Sequence, residues 1–272
     1  GMASTWLAAR GLREGGARVR GSARFDGTEL VGLSDRALSR IRGGRAALIF
    51  QDPVSSLNPV QRIGRQLGEA LRLHRGLSGG RARAEARRLL DRVGISNAVQ
   101  RLNEYPHELS GGMNQRAMIA MALAGEPDLL LADEPTTALD ATIQAQILDL
   151  LARLTAEEGM AMVLISHDLG VISDMADRVA VMYSGRVVEE APSQALFAAP
   201  AHPYARGLLA ALPSLDGPKR RLQAIPGAVP PPENLPPGCA FAPRCAHAEG
   251  ICEAAPPPLR AQLTLTQPLP HA

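Results

Sequence analysis

Leu129-Leu130-Leu131-Ala132-Asp133-Glu134-Pro135-Thr136-Thr137-Ala138-Leu139-Asp140 joins a short apolar run to two carboxylates. Such a run, closed by charges and a proline, is typical of a buried strand that ends in a polar loop. Because side chains alternate along a strand, Asp133 and Glu134 are predicted to face opposite ways. One carboxylate can then hold Mg²⁺ through water while the other activates a nucleophilic water. An acidic loop without chemistry explains the same pair equally well.

Two more apolar runs of strand length flank this stretch along the chain. Ala46–Phe50 precedes Gln51, and Ala161–Ile165 precedes His167. A helical stripe from Ile143 to Leu154, ended by Gly159, separates the last two strands, so the pattern predicts a mostly parallel α/β sheet. Parallel sheets bind ligands at the carboxyl ends of their strands, where Gln51, Asp133, Glu134 and His167 are predicted to lie. An ordinary loop glutamine and a satisfied histidine remain the alternatives.

Leu109-Ser110-Gly111-Gly112 precedes a run of good helix formers, Met113–Ala124, and Ser110 or Gly111 is the predicted cap. Two glycines at a helix start let backbone N–H groups approach an anion closely. The helix dipole favours a phosphate at that position. A glycine-rich cap without a ligand is the alternative interpretation.

The composition excludes several classes of protein. The chain has 272 residues, 46% of them hydrophobic, and a formal net charge of +2. This near-neutral balance argues against nucleic acid as a partner. The longest apolar stretch, between Arg116 and Glu126, is far shorter than the roughly 20 residues of a membrane-spanning helix. Seven arginines against two acids between residues 72 and 92 indicate a solvated helix face, or a docking surface for an acidic or membrane-embedded partner.

In this order the four motifs resemble the nucleotide-binding subunit of an ABC transporter. The resemblance covers roughly residues 25–200 and implies a P-loop NTPase (RecA-like) α/β core. It identifies Gln51 as the Q-loop, Leu109–Arg116 as the signature motif, Leu129–Glu134 as Walker B, Ala138–Asp140 as the D-loop and His167 as the switch histidine.

The resemblance also implies roles for these residues, with ATP and Mg²⁺ as cofactors. Glu134 would be the catalytic base, His167 would contact the γ-phosphate, and Gln51 would sense Mg²⁺ and the γ-phosphate. Asp133 would act on Mg²⁺ through water. The signature motif would contact the ATP held by an opposite subunit, and the D-loop would add a further contact. The residues concerned are Ser110, Gly111, Gly112 and Gln115 of the signature motif and Asp140 of the D-loop.

A narrower resemblance points to the importers of oligopeptides, dipeptides and nickel. It rests on Ile49-Phe50-Gln51-Asp52-Pro53, on Tyr105–Met113 and on the tail, which contains His202-Pro203-Tyr204 and Gly238–Cys245. It implies ATP-driven import of peptides, or of nickel, by a peripheral protein on the cytoplasmic face of the inner membrane. Its partners would be a second ABC ATPase subunit, identical or related, and transmembrane permease subunits.

One expected motif is missing from the sequence. ABC ATPases hold ATP with Gly-x-x-x-x-Gly-Lys-[Ser/Thr], yet the only lysine here is Lys219, in a Pro-rich tail. Ala3 and Ser4 fit the end of such a P-loop, with Ser4 as the Mg²⁺ hydroxyl, though a chance Ser-Thr explains them as well. We therefore expect an N-terminally incomplete core that binds ATP poorly by itself. The alternative function is a non-catalytic subunit that supplies its signature motif to a partner ATPase.

Cys239, Cys245 and Cys252 cluster in the tail. Thiolates suit Zn²⁺ and Fe–S centres, and some members of the importer branch carry a four-cysteine iron–sulfur site in this extension. A fourth cysteine is absent, so His247 or His271 would have to substitute. Free thiols are the other interpretation.

The predicted organisation has three parts. Residues 1–60 and 126–200 form the incomplete RecA-like core, and residues 61–125 form an inserted helical subdomain with the signature motif. Residues 201–272 form the Pro-rich C-terminal extension of the oligopeptide-transporter type.

Overall fold

A computed structural model describes residues 19–52, 56–137, 139–212 and 224–260. The chain divides into two compact units, Gly1–Asp168 and Leu169–Ala272. Both units combine helices with β-strands, as the α/β prediction requires. Ser4, Ala138, Lys219 and His271 lie outside the described residues.

A three-stranded parallel sheet forms the centre of the first unit. Its strands are β3 (Ala46–Ile49), β4 (Leu129–Asp133) and β5 (Ala161–Ile165), with β4 in the middle. In the register, Ala132 of β4 lies opposite Ile49 of β3 and Leu164 of β5. All three strands run the same way, so the residues that follow them meet at one sheet edge. A short hairpin, β1 (Arg24–Phe25) and β2 (Thr28–Glu29), precedes the sheet.

Six helices complete the described part of the first unit. They are α1 (Asp35–Leu38), α2 (Ile63–Arg75), α3 (Gly79–Arg92), α4 (Ala98–Arg101), α5 (Gly111–Leu123) and α6 (Ala141–Glu158). A 3₁₀ turn, Pro106–Glu108, leads into α5.

Local capping chemistry sets where the two helices next to the sheet begin and end. The Ser110 hydroxyl accepts a hydrogen bond from the Met113 N–H (3.3 Å), and the Asp140 carboxylate accepts one from the Ile143 N–H (3.0 Å). Gly159 ends α6 in the left-handed conformation, φ +64°. Of the two predicted caps, Ser110 and Gly111, the structure has Ser110, and the predicted stop at Gly159 is confirmed.

The apolar periodicity found in the sequence corresponds to buried faces. In α6, Ile147, Leu150, Leu151 and Leu154 are at most 1% exposed, whereas Ile143, at the start of the stripe, is half-buried. The middle of α5 is buried nearly all round, so its apolar run is a core helix of the unit.

The arginine-rich face of α2 and α3 is partly neutralised by carboxylates. The Arg75 guanidinium donates to Glu85 (2.7 Å), and the Arg88 guanidinium donates to both Glu85 oxygens (2.6 and 2.9 Å). Glu85 therefore ties α3 to the C-terminal end of α2. These hydrogen bonds, from Arg88 first and then Arg75, lower the pKa of Glu85 from 4.5 to about 2.

Glu85→Gln is expected to lower the free energy of unfolding by about 1–2 kcal/mol at pH 7. A carboxylate with a lowered folded-state pKa stabilises the fold above its unfolded pKa and loses that contribution as the pH falls through the folded value. The difference between wild type and variant should therefore shrink between about pH 4.5 and 2. Urea titrations across this range measure it. Glu157→Gln, at an exposed ion pair with Arg153, is the control and should change stability by less than about 0.5 kcal/mol.

The second unit is built on an antiparallel hairpin, β6 (Arg178–Tyr183) and β7 (Arg186–Pro192). Its turn, Ser184-Gly185, has two positive φ angles (45° and 77°), which match the right-handed twist of hairpin strands. The described helices of this unit are α7 (Leu169–Met175), α8 (Ser193–Ala198), α9 (Pro203–Ala210) and α10 (Gly250–Ala254). Two 3₁₀ turns, Pro232–Asn234 and Ala242–Arg244, lie in the Pro-rich tail.

An aromatic cluster joins the tail to this hairpin. The Tyr183 ring lies 4.7 Å from the Tyr204 ring and 5.2 Å from the Phe241 ring, centroid to centroid. Arg244 donates to the carbonyls of Pro226 (2.7 Å) and Ile225 (2.9 Å), which fixes the tail backbone next to the cluster. Within the described ranges, no helix has both the length and the apolarity needed to cross a membrane.

Candidate functional site

The carboxyl end of β4 turns sharply at Glu134. This residue has φ +46°, a left-handed conformation that costs a non-glycine residue about 1–2 kcal/mol. Its N–H donates to the Ile165 carbonyl at the end of β5 (2.9 Å). The backbone of Glu134 is therefore fixed by the neighbouring strand in a conformation that the residue would not adopt by preference.

Three side chains converge on the Glu134 carboxylate. The Gln51 amide, after β3, donates to Oε2 (3.1 Å), and the Thr137 hydroxyl donates to the same oxygen (2.9 Å). His167 Nδ1, after β5, lies 3.2 Å from Oε1. The structure thus brings together all three residues predicted to be catalytic: Gln51, Glu134 and His167.

The surroundings of Glu134 suit a base that activates water. Its side chain is 26% exposed and that of His167 is 77% exposed, so water reaches both groups. A carboxylate oriented by three partners is positioned to accept a proton from a water beside it. Gln51 and His167 are both exposed, so a ligand beside Glu134 can reach their side chains.

Asp133 is the last residue of β4 and is half-buried. Burial, and next the negative charge of Glu134, raise the pKa of the Asp133 carboxyl. No described side chain or backbone N–H donates a hydrogen bond to this carboxylate. Carboxylate and amide oxygens are the ligands that Mg²⁺ prefers, and a cation would offset both causes of the raised pKa. The position is therefore compatible with a magnesium ligand, and that role stays a prediction.

The Ser110-Gly111-Gly112 turn is a separate group in this unit. Ser110 and Gly111 are exposed at the start of α5. A Cβ added to Gly112 would lie 3.0 Å from Cγ2 of Ile143, so a side chain there would crowd α6. Among the described residues, no hydrogen bond connects this turn to Glu134 or its partners. Because Ser110 and Gly111 are exposed, an anion on another molecule can reach this helix N-terminus.

Gln115 does not join that exposed turn. Its side chain is 1% exposed, and its amide nitrogen has no hydrogen-bond partner within the described ranges. Asn114 is also buried and donates to the Pro106 carbonyl (3.0 Å). Asp140 is exposed, and its carboxylate is the α6 cap described above.

The three cysteines do not form a metal site in the described ranges. There, no group of three or more His, Cys, Asp or Glu side chains is arranged to hold a metal ion. Cys245 Sγ accepts a hydrogen bond from the His247 N–H (3.4 Å). All three thiols are free and half-buried. The zinc or iron–sulfur prediction for Cys239, Cys245 and Cys252 is therefore not supported, because the described part of the chain does not bring all three thiols around one point.

The sequence analysis missed Thr137 as a member of the site. Its hydroxyl makes the shortest of the three contacts with the Glu134 carboxylate. The available signal was its place three residues after Glu134 in a polar turn, where a hydroxyl can reach back to a preceding side chain.

Two family models match this chain. The model described as ABC transporter matches residues 12–137, which include Gln51, the Ser110 turn and Glu134. The model described as Oligopeptide/dipeptide transporter, C-terminal region, matches residues 188–252 in the second unit.

Curated relatives are similar over most of the chain. A peptide import ATP-binding protein of Brucella abortus (strain 2308) is 54% identical over 235 residues, which cover 86% of this chain and 71% of the relative. Another, from Brucella melitensis biotype 1, is 55% identical over 237 residues, 85% of this chain and 70% of the relative. The chain therefore belongs to the ATP-binding subunits of ABC transporters.

Solved structures agree with this assignment. The ATP-binding cassette MJ0796, in a post-hydrolysis dimer bound to ADP and Pi, is 28% identical with a TM-score of 0.61, covering 71% of this chain and 80% of that one. The protein cbiO1 from Clostridium perfringens, part of the ABC transporter complex cbiONQ, is 25% identical with a TM-score of 0.60, covering 73% and 75%. The predicted P-loop NTPase fold is confirmed.

Proposed function

We propose that this chain is an ATP-hydrolysing subunit that energises the import of peptides by an ABC transporter. The observation that carries the proposal is the convergence of Gln51, Thr137 and His167 on Glu134 at one sheet edge. The substrate class is supported by the C-terminal match over residues 188–252 and by relatives named for peptide import. The same tail pattern is compatible with nickel as the transported species.

In this proposal Glu134 accepts the proton of the attacking water. Gln51 and Thr137 hold one carboxylate oxygen, which leaves the other to face His167 and solvent. His167 is placed to donate a hydrogen bond to a phosphate oxygen when it turns from Glu134. Asp133 and Gln51 would hold Mg²⁺, which neutralises phosphate charge during hydrolysis.

We infer that the working unit contains two ATPase subunits. The Ser110 turn is exposed and, as far as the structure describes the chain, is not hydrogen-bonded to the Glu134 group, so each chain offers two separate half-sites. In a pair with a second copy or a related subunit, the Ser110 turn of one subunit would face the Glu134 group of the other. Permease subunits would place this pair on the cytoplasmic face of the inner membrane. The helical subdomain at residues 61–125 would then provide the surface that meets them.

A second candidate function is a subunit that only completes the site of its partner. The observation favouring it is the single lysine of the sequence, Lys219, in the Pro-rich tail. Equilibrium binding of labelled ATP to the purified chain separates the two candidates. Micromolar affinity at its own site supports the catalytic subunit, and absence of binding with full stimulation of a partner supports the completing subunit.

Ser110→Arg is expected to reduce ATP hydrolysis at least 10-fold when the chain is mixed with its partner ATPase subunit. The bulky side chain would occupy the exposed turn where the partner's phosphates are expected to lie. Steady-state phosphate release at saturating ATP measures the effect. Ser110→Asp should act similarly, because it keeps the helix cap but places a negative charge against phosphate.

Ser78→Arg is the matched control, since Ser78 is also an exposed serine at a helix N-cap and makes no side-chain cap bond. It should leave hydrolysis within twofold of wild type. Equal rates for wild type, Ser110→Arg and Ser110→Asp would exclude a role of this turn at the partner's ATP.

A further inference from the structure

The segment that carries the cysteines holds its two outer ones side by side. The Cys239 N–H donates a hydrogen bond to the Cys252 carbonyl (2.7 Å). Cys239 precedes the 3₁₀ turn Ala242–Arg244, and Cys252 lies within α10. Residues 239–252 therefore form a closed loop, and its two end residues are in backbone contact.

This backbone contact limits the distance between the two residues. With standard bond lengths, atoms joined by a 2.7 Å N–H···O=C contact place their Cα atoms no more than about 6.6 Å apart. Disulfides form between residues whose Cα atoms are about 4.4–6.8 Å apart. The Cys239 and Cys252 backbones thus already satisfy the main distance requirement of a cross-link.

Gly238 makes this approach possible. A Cβ at Gly238 would lie 2.1 Å from the Cys252 carbonyl oxygen and 2.6 Å from the Glu253 backbone. Such distances are far inside van der Waals contact, so a side chain at this position would force the two segments apart. Gly238 is buried in spite of lying in a loop.

Cys245 is engaged in a different local structure. Its N–H donates to the Ala242 carbonyl (3.1 Å), and its sulfur accepts from the His247 N–H (3.4 Å). Among the described residues, Cys245 makes no hydrogen bond with Cys239 or Cys252. The described backbone contact therefore links Cys239 with Cys252 and does not include Cys245.

We propose that Cys239 and Cys252 form a disulfide when the protein meets a low-molecular-weight disulfide such as oxidised glutathione. Both residues are half-buried, so a small reagent reaches them while the backbone stays ordered. One protein thiolate attacks a sulfur of the glutathione disulfide and releases a glutathione thiolate, which takes up a proton. The second protein thiolate then attacks the mixed disulfide and releases the second glutathione.

In this exchange two protein thiols are oxidised and one glutathione disulfide is reduced to two thiols. The product is a covalent ring over residues 239–252 in the second unit. The inference does not depend on the proposed transport function, since every residue that carries it lies in the tail.

The test is disulfide mapping of the full chain in glutathione redox buffers. Free thiols are blocked by alkylation, and cross-linked peptides are identified by mass spectrometry. We expect the Cys239–Cys252 peptide to exceed each pair that includes Cys245 by at least 10-fold. Cys245→Ser should retain the cross-link in full.

The unfolded chain supplies the reference distribution. In 6 M guanidinium the shorter loops that include Cys245 should close more readily, so the preference should reverse. A native preference for Cys245 pairs, or native chains that carry glutathione without any internal cross-link, would overturn the proposal.

Gly238→Ala should reduce the native cross-link at least 10-fold. Gly250→Ala is the matched control, because a Cβ there meets nothing within 4 Å, and it should leave the yield within twofold of wild type. Undiminished cross-linking in Gly238→Ala would show that the backbone contact does not direct the pairing.

Discussion

Glu134→Gln is expected to reduce ATP hydrolysis by at least 100-fold in the assembled ATPase pair. Glutamine has nearly the same shape and keeps an oxygen for the Gln51 and Thr137 donors, but it cannot accept a proton from water. General-base catalysis contributes typically about 10²–10⁴-fold, so the removal of the base should cost that much in rate. Phosphate release under single-turnover conditions is the measurement.

Nucleotide-dependent association of the two subunits should survive this change, because the Ser110 turn and the Asp133 carboxylate are untouched. Light scattering or gel filtration with ATP reports on it. Asp149→Asn, an exposed carboxylate on α6, should retain the wild-type rate and serves as the control. A Glu134→Gln variant with more than a tenth of the wild-type rate would remove Glu134 from the role of base.

Gly125→Ala is expected to lower the free energy of unfolding by about 3 kcal/mol or more. A Cβ at Gly125 would lie 1.9 Å from the Gly43 carbonyl oxygen and 3.0 Å from the Gly44 Cα. Both are backbone atoms, so no side-chain rotation relieves the clash. The end of α5 would have to move away from the segment that enters β3, and both elements hold residues of the buried core.

Equilibrium urea unfolding followed by circular dichroism measures this effect. Gly68→Ala is a suitable control, since Gly68 lies inside α2 and a Cβ there meets nothing within 4 Å. That change should stabilise the helix by about 0.5–1 kcal/mol, because alanine is the better helix former. Equal destabilisation by both substitutions would show that the close approach of Gly125 to Gly43 is not the cause of the effect.

Strand ends and helix caps were predictable from the sequence because their signals are local. The runs at Ala46–Ile49 and Leu129–Asp133 are short, apolar and closed by polar residues, and the structure has strands there. Ser110 and Gly159 likewise act through their own turns. The convergence of Gln51 and His167 on Glu134 followed from one topological rule, that parallel strands share a carboxyl edge.

Contacts between segments that are far apart in the sequence could not be predicted, because no local sequence pattern indicates them. Nothing in the sequence around Gly125 indicates that Gly43 lies against it, since the two are joined only by the fold. The burial of Gln115 depends on packing around all sides of α5. The arrangement of the cysteines shows the same limit, because spacing along the chain does not decide which thiols face each other.

The left-handed backbone at Glu134 has a consequence for protein engineering. Glycine adopts that conformation without steric penalty, and asparagine tolerates it better than glutamate does. A library selected only for heat resistance should therefore enrich these two residues at position 134 and yield sturdier proteins that no longer turn over ATP. With Glu134 in its proposed role as the base, stability and ATP hydrolysis make opposite demands on this residue.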